Sequence, residues 1–257
     1  MINKIVAYIK FLLSSTNQHG VHSPFVYDLV TKCFYDSTRY DDYAKISTYK
    51  DKLLKDQTKI NVTELGAGSR ILKTNKRIVA KMTKSAGSTT PRAKLLYRLI
   101  QHLESRQILE LGTSMGIATY SMHLAQKTFD ITTIEGCPNI SAFTKENFKN
   151  YGVDNVELKT GNFKDVLKDL THNTYDLIYF DGNHQKQATI DYFETLLPTA
   201  NNNTLFIFDD IYWSKGMTEA WNTIKDHPQV TVSIDTFFWG FVFFRKEQQK
   251  EHFIIRI

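Results

Sequence analysis

The chain is short of cysteine, with only Cys33 and Cys137 among its 257 residues. Two thiols cannot build a disulfide framework, and they are too few for a cysteine-based zinc site. Long apolar runs are missing too. None approaches the ~20 residues needed to cross a bilayer, so no membrane partner is expected. Residues 1–13 carry Lys4 and Lys10 and lack a small-residue cleavage site, which makes them a poor signal peptide. Internal repeats and low-complexity tracts are absent. What is there is ordinary: 42% hydrophobic and 23% charged residues, a composition that excludes a disordered chain. The expectation is a soluble, reducing, cytoplasmic protein of one or two domains.

Acidic residues are scarce in one region only. Residues 1–100 hold 18 Lys+Arg against 7 Asp+Glu, whereas residues 101–257 hold 14 against 20. The basic part could face nucleic acid, an acidic lipid or an anionic substrate, or it could be a solvated surface that complements an acidic partner domain.

Residues 1–87 read as a helical, basic extension and 88–257 as a catalytic-type domain. Ile2, Ile5, Val6, Ile9, Leu12 and Leu13 recur at helical spacing and stop at the polar cluster Ser14–Asn17. Lys73, Lys76, Arg77, Lys81 and Lys84 are spaced so that several share one helical face. From residue 107 the pattern alternates. Strands are expected at 107–111, 130–134, 155–159, 175–180 and 204–208, with helices near 116–127, 139–150, 163–170 and 186–197. Such alternation implies a parallel sheet with helices on both faces. Two β-rich runs, 229–235 and 238–245, then form an antiparallel hairpin.

Two glycine loops stand out. Glu64-Leu65-Gly66-Ala67-Gly68 has no acidic residue at a useful distance and reads as a structural turn. Glu110-Leu111-Gly112-Thr113-Ser114-Met115-Gly116 lies where a strand ends and a helix starts, the edge at which open sheets bind ligands. Nineteen residues past Gly116, Glu135 ends the next strand, where a carboxylate can accept both hydroxyls of a ribose. A dinucleotide needs glycine at the position that Ser114 occupies. Glu110 adds negative charge, which repels phosphate and suits a cation. The implied ligand is a cationic nucleoside without phosphates, a description that S-adenosylmethionine fits.

Two later strands end in acids, Asp181-Gly182-Asn183-His184 and Asp209-Asp210-Ile211-Tyr212-Trp213. Asp181, Asp209 and Asp210 on one sheet edge would repel one another unless a divalent cation neutralised them, and oxygen ligation points to Mg²⁺ or a similarly hard ion. The alternative keeps Asp181 on the cofactor side, with Asp209 and Asp210 as helix caps. Tyr212 and Trp213 are candidate walls of an aromatic substrate pocket. Asn162 and Phe163, after the third strand of the alternation, are candidate cofactor contacts. Cys137, beside Pro138, reads as a helix-start residue.

The motif from Glu110 to Gly116, with Ile134-Glu135, Asp181 and Asp209-Asp210, resembles class I S-adenosylmethionine-dependent methyltransferases. Within that class the likeness is to cation-dependent O-methyltransferases of the catechol and caffeoyl-CoA type. The resemblance implies a Rossmann-like α/β fold, a doubly wound seven-stranded sheet of order 3-2-1-4-5-7-6 with an antiparallel C-terminal hairpin. It also implies cofactor contacts at Thr90, in Thr90-Pro91-Arg92-Ala93-Lys94-Leu95-Leu96, and metal ligation by Asp181, Asp209 and Asp210. His19-Gly20-Val21-His22-Ser23-Pro24-Phe25, Ile134-Glu135-Gly136-Cys137-Pro138 and Phe208-Asp209-Asp210-Ile211-Tyr212-Trp213 also resemble an uncharacterised group of methyltransferases from Bacteroidetes-type bacteria. In plant and animal enzymes of the cation-dependent type a lysine, the candidate base, follows the first metal aspartate by three residues. Here His184 takes that place, and an imidazole can serve near neutral pH.

The expected activity is methyl transfer from S-adenosylmethionine to a hydroxyl of a small molecule, with Asp181, Asp209 and Asp210 holding the cation and His184 taking the proton. An RNA acceptor, or a non-catalytic nucleoside-binding role, are the alternatives. A homodimer is expected, because an apolar N-terminal helix needs a surface to cover it.

Overall fold

The computed structural model describes residues 2–66 and 74–257. Ala67 and Gly68 of the first glycine loop, and Lys73 of the basic stretch, lie outside the described residues. The chain opens with helices α1 (Ile2–Ser14), α2 (Pro24–Leu29) and α3 (Asp42–Lys55), strands β1 (Lys59–Asn61) and β2 (Lys76–Ile78), and helices α4 (Val79–Ala86) and α5 (Thr90–His102). The alternation follows: β3 (Ile108–Leu111), α6 (Ile117–Ala125), β4 (Ile131–Glu135), α7 (Pro138–Asn150), β5 (Val156–Thr160), α8 (Phe163–Val166), β6 (Leu177–Phe180), α9 (Lys186–Leu196) and β7 (Leu205–Asp209). Helix α10 (Lys215–Lys225) and strands β8 (Val232–Asp235), β9 (Trp239–Phe243) and β10 (Glu251–Ile254) complete it.

The chain divides into two compact units, one of Ser37–Lys168 and the other of Met1–Asp36 with Asp169–Ile257. Among the described residues, strands β3 to β10 are divided between these units. In the Ser37–Lys168 unit they run β3-β4-β5, all parallel. In the other unit the order is β6-β7-β9-β8-β10, with β9 antiparallel to both neighbours and β10 parallel to β8. The α/β, Rossmann-like sheet is thus present, with the expected sub-orders 3-2-1 and 4-5-7-6 and one strand more than expected. Strands β3, β6 and β7 (ILEL, LIYF, LFIFD) are buried at every position, as near-continuous apolar runs in a doubly covered sheet should be.

Three features depart from the sequence reading. Lys76 and Arg77 lie on β2 rather than on a helix, which starts only at Val79, and Arg77 is buried against the Glu64 carboxylate. Helix α10 and strand β10 were not foreseen. The apolar stripe of α1 faces outward: Ile5, Val6, Ile9, Leu12 and Leu13 are exposed, Leu13 by 84%. The face that packs instead is aromatic. Tyr8 and Phe11 meet the Phe237 ring at 4.8 and 5.5 Å between centroids, the first edge to face and the second tilted, geometries that aromatic pairs favour.

Candidate active site

The glycine loop belongs to the Ser37–Lys168 unit. It leaves β3 at Leu111 with backbone φ of 111° at Gly112, 47° at Ser114 and 72° at Gly116. Glycine is needed at 116 twice over, since a Cβ there would stand 2.5 Å from Cε1 of Phe148. The loop is tied down on every side. The N–H groups of Gly112 and Thr113 donate to the Ile134 carbonyl at 2.9 and 3.2 Å. The Thr144 hydroxyl donates to the Ser114 carbonyl at 2.7 Å, and the Tyr49 hydroxyl to that of Met115 at 2.9 Å. Tyr49 sits on α3 with its ring stacked on Tyr120 at 4.6 Å. Sequence reasoning missed Tyr49 and Thr144, which belong to helices with no motif of their own.

Two carboxylates dominate this unit. Glu110 is fully buried; its Oε2 accepts from the hydroxyls of Thr119 and Thr133, the latter at 2.6 Å. Its Oε1 is buried with no hydrogen-bond partner among the described residues. Burial pushes the carboxyl up to about 7. An orphaned acceptor of this kind suits a cationic ligand group, such as the ammonium of S-adenosylmethionine. Glu135 accepts from the N–H of Ser114 at 2.9 Å through one oxygen and from that of Cys137 at 2.8 Å through the other. Burial raises its pKa and these donors pull it back. With two carboxylates beside a loop that lacks the phosphate-cradling glycine, the residues fit a cationic nucleoside. Thr113 shares a 2.6 Å hydrogen bond with Thr133. Thr90 begins α5, and Phe163 begins α8, whose cap is Asn162, with its Oδ1 on the Lys164 N–H at 3.0 Å. Cys137 is the N-cap residue of α7.

The acids that follow β6 and β7 lie in the other unit. Single ligand atoms of Asp181, His184 and Asp209 fall within 4.8 Å of one another. Asp209 is buried, His184 Nε2 is 4.0 Å from Asp181 Oδ1, and the Tyr179 hydroxyl donates to Asp181 Oδ2 at 3.1 Å. Asp210 is outside this grouping. Its φ of 51° turns the chain at the strand end, and its Oδ1 lies 3.8 Å from Lys4 Nζ. Two carboxylates and an imidazole fit a divalent cation. The nitrogen makes the set better suited to Mn²⁺ or Zn²⁺ than the all-oxygen set expected for Mg²⁺. Phe180, Gly182, Thr189, Tyr192, Phe208 and Met217 line the pocket around His184 and Asp209.

The two aromatic residues after the acids differ in role. Tyr212 donates its hydroxyl to the buried Asp235 at 2.6 Å and stacks on Phe237 at 5.0 Å, so one ring face is covered. Burial and the Asp235 charge push this phenol up. Trp213 stands with its ring 6.2 Å from that of His184.

Comparison with known proteins agrees with this arrangement. A family model described as a methyltransferase domain matches residues 109–211, the stretch from β3 to just past β7. Over that stretch the chain resembles a methyltransferase domain in sequence. A catechol O-methyltransferase of Niastella koreensis is 30% identical over 123 residues, which cover 46% of this chain and 55% of the relative. The chain thus spans about half the length of the curated relative it matches. An SAH-bound methyltransferase of Podospora anserina has a TM-score of 0.61 at 17% identity, with 88% of this chain and 97% of that one covered. The O-methyltransferase TomG of Streptomyces achromogenes, involved in tomaymycin synthesis and solved with SAM, has a TM-score of 0.58 at 16% identity, with 90% and 99% covered. No helix among the described residues is long and apolar enough to cross a membrane.

Proposed function

We propose that this chain methylates a hydroxyl of a small molecule, taking the methyl from S-adenosylmethionine with the help of a divalent cation. The observation that carries the reading is the grouping of Asp181, His184 and Asp209 within 4.8 Å. Bound S-adenosylmethionine supplies a methyl made electrophilic by its sulfonium. Glu110 offers its unpaired Oε1 to the ligand's ammonium, Glu135 offers its remaining lone pairs to the ribose, and the tethered loop keeps both in place. Thr90, Thr113, Asn162 and Phe163 complete the cofactor set. Asp181 and Asp209 would hold the cation, which would lower the pKa of an acceptor hydroxyl. His184 takes the proton, with Asp181 stabilising the imidazolium. Asp210 stays a candidate third ligand.

One observation favours a second assignment for His184. Its ring nitrogen shares the 4.8 Å grouping, so it can instead be the third ligand, its lone pair then being spent. Calorimetric Mn²⁺ affinity of His184→Gln separates the two: unchanged for a base, at least tenfold weaker for a ligand. The small-molecule acceptor is preferred over RNA on the likeness to a catechol O-methyltransferase. A second copy covering the outward stripe of α1 is the expected homodimer, to be checked by sedimentation.

The main test uses full-length protein. Calorimetry should show S-adenosylhomocysteine binding and no NAD binding. Methyl transfer to catechol should fall with a chelator and return with Mg²⁺ or Mn²⁺. Tighter binding of NAD, or transfer indifferent both to chelator and to Asp181→Asn, would sink the reading.

A further inference from the structure

On the reading above, we propose that Lys4 selects the acceptor, and that the acceptor is an aromatic hydroxyl compound carrying a carboxylate. Lys4, Tyr8 and Phe11 share one face of α1, three and four residues apart. Tyr8 and Phe11 seat that face on Phe237, whose own N–H donates to the buried Asp235 at 2.7 Å and whose ring stacks on Tyr212. The helix is therefore fixed to the loop that carries the acids, and Lys4, one turn earlier, is carried to a defined place.

That place is aromatic. Lys4 Nζ is 5.8 Å from the ring centroids of both Trp213 and Phe238. The Trp213 ring is in turn 6.2 Å from the His184 ring, so the ammonium and the proton-accepting group neighbour the same indole. An ammonium has three donors to satisfy. The carboxylate oxygen of Asp210 is 3.8 Å away, too far for a hydrogen bond, and Lys4 makes no hydrogen bond among the described residues. Its side chain is 41% exposed, so a ligand can reach it. A cation with unspent donors, walled by two rings of which the indole also neighbours His184, is a site for a planar molecule with a hydroxyl at one end and a negative charge at the other. Asp210 tempers the positive charge, which suits a monoanion better than a dianion such as a phosphate.

The experiment uses full-length protein loaded with S-adenosylhomocysteine, as wild type, Lys4→Met and Lys4→Arg. Calorimetry measures binding of 3,4-dihydroxybenzoate and of catechol, and turnover with S-adenosylmethionine gives kcat/KM for each. The wild type should favour the acid about tenfold, with the preference shrinking as salt is raised. Lys4→Met should abolish the preference through KM and leave catechol unchanged, and Lys4→Arg should restore most of it. Equal handling of both compounds by the wild type overturns the proposal. So does a Lys4→Met variant that loses both alike, which would make Lys4 a packing residue. Lys4-dependent binding of the acid without methylation of either compound would sink the methyltransferase reading and uphold the anion site. Methylation of catechol with no preference for the acid would do the reverse.

Discussion

Replacing Glu110 by glutamine should stabilise the protein at pH 8 and change it little at pH 5. In the folded chain this carboxyl has no exposed surface and holds its proton up to about pH 7 against an ordinary value of 4.5. Between those two pH values the unfolded chain releases a proton that the native chain keeps, so rising pH favours unfolding. Each pH unit costs about 1.4 kcal/mol, so the whole interval costs about 3 kcal/mol. Below pH 4.5 both states are protonated and there is no cost; above pH 7 both are ionised and the cost stays constant. Glutamine does not titrate, keeps the shape, and can still accept from Thr119 and Thr133. Urea unfolding of both proteins at pH 5, 6, 7 and 8 should give stability curves that diverge to about 3 kcal/mol and then run parallel. Curves parallel over the whole range would refute the reasoning, because the buried charge would then carry no cost. The same change should weaken S-adenosylhomocysteine binding at pH 8 by about tenfold, the worth of a charged hydrogen bond.

Other changes test other parts of the site. Gly116→Ala places a Cβ against Phe148 at a positive φ, and should cost about 2 kcal/mol or more in urea unfolding and weaken cofactor binding. Tyr49→Phe leaves the Met115 carbonyl without its donor, with a loss of about 1–3 kcal/mol in stability and a higher dissociation constant for S-adenosylhomocysteine. Glu135→Ala removes an acceptor from the Ser114 and Cys137 N–H groups and should weaken cofactor binding by about 1.5–3 kcal/mol, read by calorimetry. Asp209→Asn should remove Mn²⁺ activation of methyl transfer without changing affinity for S-adenosylhomocysteine.

The parts legible in sequence are those whose chemistry is local. Strands β3, β6 and β7 announce themselves as near-continuous apolar runs, and the glycine loop with Glu135 lies within one β-α-β stretch, so spacing alone placed the loop at the strand end. The acids after β6 and β7 were legible as a set, but its third member was not: Asp210 was expected, and His184 is the residue grouped with Asp181 and Asp209. Neighbours along an extended chain point to opposite sides, so adjacent Asp209 and Asp210 were not obliged to converge, and the left-handed turn at Asp210 sends it toward Lys4. His184 entered the reading as a base and is also found in ligand reach. Strand β10 (EHFI) has four residues and no clean alternation, and β1 and β2 have three residues each, too little pattern for any period to emerge. The facing of α1 was hidden for a different reason. Its aliphatic stripe is the stronger periodic signal, but its partner Phe237 is far away in sequence, and only the folded chain shows that the aromatic side was chosen.

The edge strand β10 has a consequence for how the chain assembles. Beyond it, Ile255 pairs with Thr16: the Thr16 N–H donates to the Ile254 carbonyl at 2.8 Å and the Arg256 N–H to the Thr16 carbonyl at 3.0 Å. The Tyr35 hydroxyl adds a 2.6 Å bond to the Arg256 carbonyl. The segment that ends α1 is thus clasped by residues roughly 240 positions later, a closure of high contact order and hence a slow one. On the ribosome, α1 emerges early yet cannot be clasped until the strand that holds it has been made. Until then Tyr8 and Phe11 also lack Phe237, the ring they pack against, so both faces of the helix stay uncovered through that interval.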